Sequence, residues 1–96
     1  MNSAEGHHEE PIEARRERVL PILEESLRIF ASEEPLEKGC VHVTRRREQG
    51  VETINDLVVC GINDDGPEFC IIEADGGPSA SATILWSELL DVQKSL

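Results

Sequence analysis

Two short apolar runs, LVVCGI at 57–62 and FCIIEA at 69–74, carry the densest hydrophobicity in the chain. Both are rich in Val, Ile and Phe, and both are too short for an ordinary helix. Between them Asn63-Asp64-Asp65-Gly66-Pro67-Glu68 is a cluster of turn formers, so the pair predicts a β-hairpin. Leu57 and Val59 alternate with Val58, Cys60 and Ile62, which makes both faces of the first strand apolar. Such a strand belongs where both faces are covered, inside a sheet or beneath a helix.

Upstream the period lengthens to that of a helix. Ile12, Val19, Leu20, Leu23, Leu27 and Phe30 recur mainly at spacings of three, four and seven, with Glu13, Arg15, Arg16, Glu17 and Arg18 on the other side. Pro11 suits a first helical position, where its missing N–H costs nothing. Pro21 deletes a backbone hydrogen bond and crowds the Glu17 carbonyl, at ~3 kcal/mol or more. Because the apolar stripe continues across it, the pattern reads as one kinked helix over 11–31, closed by Ser32-Glu33-Glu34-Pro35.

Residues 40–46 alternate, with Val41, Val43 and Arg45 opposite Cys40, His42, Thr44 and Arg46, as in a strand with one solvated face. Residues 48–52 are turn-like, 51–54 lead into the second strand, and Asp75-Gly76-Gly77-Pro78-Ser79 is a loop. The last segment satisfies two periods. Ala80, Ala82, Ile84 and Trp86 share a face at period two, whereas Ala82, Leu85, Trp86, Leu89 and Leu90 form a helical stripe. Ser87 as an N-cap with Glu88 in the first turn predicts a short strand over 82–86 and a terminal helix over 87–94. One helix from 79 onward is the competing reading. The fold expected is α+β: an N-terminal helix packed on a three- to four-stranded antiparallel sheet, with a short C-terminal helix.

Composition narrows this picture. Ninety-six residues suit one domain, here 11–96, preceded by a disordered acidic tail at 1–10. Apolar residues make up only 39%, and the aromatics are Phe30, Phe69 and Trp86, so part of the chain stays out of the core. No run approaches the ~18 apolar residues of a membrane span, and the first residues are polar rather than signal-like. A cytoplasmic, soluble protein is expected. Cys40, Cys60 and Cys70 each sit in an apolar run and are too few for a secreted disulfide framework. They read as reduced, buried, small hydrophobes, indifferent to oxidant.

Charge changes the picture most. The net charge is −11, and it is unevenly placed. From Glu48 onward there are ten acids (Glu48, Glu52, Asp56, Asp64, Asp65, Glu68, Glu73, Asp75, Glu88, Asp91) and one base, Lys94. Arg45-Arg46-Arg47 marks the boundary. So acidic a half repels a phosphate backbone, and a lone arginine triplet without interleaved aromatics reads as pairing, within the chain or between subunits, with Glu48, Glu52 or the acidic tail.

Candidate chemistry is thin. Cys40 and His42 share a strand face, and with Cys60 and Cys70 they would make four soft ligands for zinc, yet paired ligands at knuckle spacing are missing. Buried thiols are the reading taken, with no metal and no cofactor. A Cys–His nucleophile would need an electropositive setting, which this half lacks. Asn63-Asp64-Asp65-Gly66 has neither the spacing nor the distal Glu of a calcium loop. No enzyme is expected. The chain reads instead as a small acidic regulator or inhibitor that docks on a basic surface of a protein partner, with nucleic-acid mimicry as one form of such docking. The docking residues expected are Asp64, Asp65, Glu68, Asp75, Glu88 and Asp91, with Trp86 as the apolar anchor. The alternative is an assembly subunit that joins a homodimer or complex through an apolar face around Trp86, Leu85, Leu89, Leu90 and Leu96.

Overall fold

The computed structural model describes residues 10–95. One helix, α1 (Ile12–Phe30), precedes five strands: β1 (Val41–Arg47), β2 (Gly50–Ile62), β3 (Pro67–Ile72), β4 (Pro78–Thr83) and β5 (Leu89–Lys94). The strands form one antiparallel sheet in the order β4-β3-β2-β1-β5. The class is α+β. Residues 1–9 of the predicted tail lie outside the described residues, while Glu10 is held by Arg15 and Arg18.

α1 runs as a single element through Pro21. Pro21 is exposed, so the carbonyl it orphans is on the wet side of the helix, where hydration limits the cost. Pro11 stands one residue earlier than its sequence position suggested: it is the N-cap, in an extended conformation, and its carbonyl accepts from Arg15 N–H at 3.0 Å. The buried face is Arg15, Val19, Leu23, Ser26 and Ile29. Val19 and Leu23 were on the apolar stripe, but Ile12 is exposed, and two polar residues take its place under the helix. A guanidinium and a hydroxyl can be buried here only because each reaches backbone groups of the sheet.

The core lies between α1 and one sheet face. Val19 and Leu23 pack with Val41, Val43, Leu57, Val59, Phe69, Ile84, Trp86, Leu89 and Val92. Ser26 fixes the helix to the strands: its Oγ donates to the Gly39 carbonyl at 2.6 Å and accepts from Val59 N–H at 2.9 Å.

Two bulges explain where period-based reading failed. Along β1–β2 the register shifts between Val41 and Val43, where Asp56 takes a positive φ of 62°. The shift lets Leu57 pair with Val41 and Ile54 with Val43, so two residues three apart share one face of a strand. The same happens in β5. A register shift between Thr44 and Arg45 puts Leu89 opposite Arg45 and Val92 opposite Val43, and both are buried. A spacing of three therefore looked helical, and the terminal helix predicted over 87–94 is instead β5. Pairing with the otherwise free edge of β1 overrode the local capping signal at Ser87 and Glu88, which lie in a turn. The sheet accordingly has five strands rather than three or four. The fourth strand begins and ends earlier than 82–86, at Pro78–Thr83. Ile84 and Trp86 follow it in a connector held by Ile84 N–H to Pro67 O at 3.0 Å and Trp86 N–H to Asp65 O at 3.0 Å. The predicted hairpin stands as β2–β3, with a tighter turn at 63–66 closed by Asn63 and Gly66. Gly66 passes so close to the Ile84 backbone that a Cβ there would overlap its carbonyl.

Candidate functional site

The two outer strands end in different surroundings. At β5, α1 supplies arginines. Arg15, 5% exposed, donates from Nη1 to the Leu89 carbonyl at 3.0 Å. Arg18 donates to the Leu90 carbonyl at 3.1 Å and to Asp91 Oδ1 at 2.8 Å, and pairs with Glu10 at 3.0 Å. That pairing holds the Glu10 carboxyl below its ordinary value and the Arg18 guanidinium above its own. The first half of this edge is engaged by charge and by helix, while Gln93 and Lys94 at its end are exposed.

Among the described residues β4 has no strand on its outer side and no helix packed over it. Its sequence, PSASAT, is built of small residues, and all but the half-buried Ser79 are exposed. Beside it, on the face that α1 covers elsewhere, runs an open apolar groove of about 300 Å³. Ile54, Leu57, Phe69, Ile71 and Ile84 line it, with residues 80–82 of β4 and one charged side chain, Arg45. Ile71 in this groove is 57% exposed, which a β-branched side chain on a core-facing strand position seldom is.

Carboxylates flank that strand at both ends. Asp64 and Asp65 are exposed in the β2–β3 turn, and Asp65 is tied to the connector that leaves β4. Glu68 opens β3 opposite Thr83, and its carboxylate accepts from the Ser81 hydroxyl of β4. Asp75 lies with Glu73 in the β3–β4 turn, where its Oδ1 accepts from Gly77 N–H at 2.9 Å. The remaining predicted residues go elsewhere. Asp91 is engaged by Arg18, and Glu88 lies beside the arginine triplet. Trp86 is 8% exposed and buried in the core, with the Arg16 guanidinium stacked 4.9 Å from its ring centre. It supports the fold from inside and presents no docking face. The structure thus joins Asp64, Asp65, Glu68 and Asp75 to the ends of one strand and separates Glu88, Asp91 and Trp86 from them. Comparison with protein-family models, curated proteins and solved structures returned no match.

The arginine triplet sits at the tip of the β1–β2 hairpin, around an open hollow of about 710 Å³ that also includes Glu48, Gln49 and Glu88. Arg45 and Arg47 both pair with Glu52, at 3.2 and 3.5 Å. Two of the three arginines thus share one carboxylate within the chain.

The soft residues divide into two sets. Cys60 and Cys70 meet, Sγ to Sγ, at 2.9 Å. His42 bonds instead to Ser95 Oγ through Nε2 at 3.1 Å. Among the described residues no three His, Cys, Asp or Glu side chains gather as metal ligands. Burial, then the Cys70 thiol, pushes the Cys60 thiol up to about 12, the opposite of what a nucleophilic cysteine needs at neutral pH. Among the described residues no helix is long and apolar enough to cross a membrane. Sequence reasoning did not find the β4 groove. Its only signal was the alternation of Ala80 and Ala82 with Ser79 and Ser81, too mild to announce a binding surface.

Proposed function

We propose that the protein is a non-catalytic, acidic binding protein that takes an extended segment of a basic protein partner along β4. The observation that carries this reading is the bare β4 edge lying beside an apolar groove, on a sheet whose other edge is engaged over its first half. Addition of a strand to a free edge draws affinity from main-chain hydrogen bonds and specificity from alternate side chains. Here those side chains enter the groove over Ile71 and Leu57, while basic residues at either end of the segment meet Asp64 and Asp65 or Glu73 and Asp75. A second copy of this chain is the weaker occupant, because pairing two acid-flanked edges brings like charges together.

The test compares the wild-type chain with Ala80→Lys/Ala82→Lys and with Asp64→Asn/Asp65→Asn/Glu68→Gln. A partner recovered from host extract is purified, and its affinity for each is measured by calorimetry over a range of salt. The lysine pair is expected to abolish binding while the chain stays folded. The neutralised turn is expected to weaken it and flatten its salt dependence. Undiminished binding by the lysine pair would overturn the proposal.

A further inference from the structure

The Cys60–Cys70 pair lies on the sheet face opposite the groove. Cys70 pairs with Val58 across β2–β3, and the ladder then shifts register between Val59 and Gly61, leaving Cys60 as the extra residue. In a regular ladder Cys60 would face Glu68. The bulge turns it instead toward its diagonal neighbour, leaving its Sγ 2.9 Å from the Cys70 Sγ and 3.6 Å from the Glu68 carbonyl. A disulfide needs about 2.05 Å, so less than about 1 Å of combined movement closes the gap. Cys60 is half-buried and Cys70 nearly enclosed, so a solution reagent reaches Cys60 first.

We propose that Cys60 and Cys70 form a dithiol site that undergoes exchange with low-molecular-weight disulfides and closes to an intrachain bridge. The Cys60 thiolate attacks one sulfur of the small disulfide, forming a mixed disulfide on Cys60 and expelling the first small thiolate, which takes up the proton. Cys70 then gives up its proton and attacks the Cys60 sulfur, forming the Cys60–Cys70 bond and expelling the second small thiol. The two protein thiols are oxidised, and one small disulfide is reduced to two thiols. Cys70 is placed to resolve the mixed disulfide because its sulfur already touches the one that is attacked. Cys40 is half-buried just before β1, and the sulfur that Cys70 touches is that of Cys60.

Burial and the neighbouring Cys70 hold Cys60 as a thiol at neutral pH. Exchange by the folded chain is therefore slow there and accelerates roughly tenfold per pH unit toward alkaline pH, as the thiolate fraction grows.

The full chain is incubated with oxidised glutathione from neutral to alkaline pH, quenched by alkylation and cleaved after glutamate, which cuts at Glu68 between the two cysteines. The expected product is a Cys60 peptide bridged to a Cys70 peptide, with Cys40 alkylated, formed at a rate that climbs with pH. Cys70→Ser, checked by its melting curve, should instead accumulate a stable glutathione adduct on Cys60. Separate adducts on Cys60 and Cys70 without a bridge, or a bridge to Cys40, would overturn the proposal. So would a folded chain that keeps its thiols at every pH while the chain in denaturant oxidises.

Discussion

β4 and β5 are equally long, both antiparallel to their neighbours and both at the edge of one sheet, yet they have been finished in opposite ways. β5 lies under α1, its Leu89 and Leu90 carbonyls taken by Arg15 and Arg18 and its Asp91 neutralised. β4 carries only small side chains, has no covering element among the described residues, and has carboxylates at either end. Free edges invite other strands, and soluble proteins usually block them with charge, bulges or a covering element. Among the described residues this chain engages one edge with a buried arginine, Arg15, and an exposed one, Arg18, and leaves the other open beside an apolar groove.

The contrast yields predictions that decrease in size. Replacing Arg15 with Leu removes the cover of β5 and leaves the Leu89 carbonyl without its charged donor. A loss of roughly 2–3 kcal/mol is expected by chemical denaturation, and the newly bare edge should raise the tendency to self-associate. If stability and oligomeric state both stay as they were, the two edges do not differ as described.

Ser26→Ala tests the bolt that seats the helix. It leaves the Gly39 carbonyl and the Val59 N–H buried without a partner, at roughly 1–3 kcal/mol in the same assay. Ser26→Thr keeps the hydroxyl and should recover part of that loss. Equal behaviour of the two variants would show that packing rather than hydrogen bonding holds the helix.

At β4 the expectation reverses. Ala80→Lys/Ala82→Lys should change stability by no more than ~0.5 kcal/mol per site, because both side chains are exposed and lie outside the core cluster. A marked fall in the melting temperature would mean that the strand is integral to the core and not an open edge.

The smallest effect is a dependence on acid. Arg18 depresses the Glu10 carboxyl below its ordinary value of 4.5. The stabilisation from this pair is thus fully present above about pH 4.5 and is lost as the pH falls through the lower, folded-state value. Melting curves of wild type and Glu10→Gln should differ slightly at neutral pH and converge in acid. Divergence on acidification would contradict the assignment.

How far the sequence revealed this arrangement follows from bulges and from long-range partners. The β2–β3 hairpin was legible because its two runs are short, apolar and separated by turn formers. Val19 and Leu23 were legible because nothing interrupts their period. β5 was not, since its bulge places Leu89 and Val92 at a helical spacing, and only pairing with β1 decides between the two. Arg15 and Ser26 were not, since a polar residue on an apolar stripe gives no hint of a carbonyl or amide 74 or 33 residues away. The acidic bias of the second half was plain, but its division into residues that flank β4 and residues that pair with Arg18 or lie by the arginine tip depends on the topology. Trp86 illustrates the same limit. With the leucines around it, it looked like more apolar surface than so small a core could absorb, whereas the connector after β4 carries it into the core.

The most direct test of the central claim is hydrogen exchange at the backbone of residues 78–83 with and without the purified partner. Strand addition predicts that the β4 amides exchange readily in the free chain and become strongly protected in the complex, while those of β5 are unchanged. Protection confined to β5 or to the arginine hairpin tip, with β4 exchanging as before, would contradict the account.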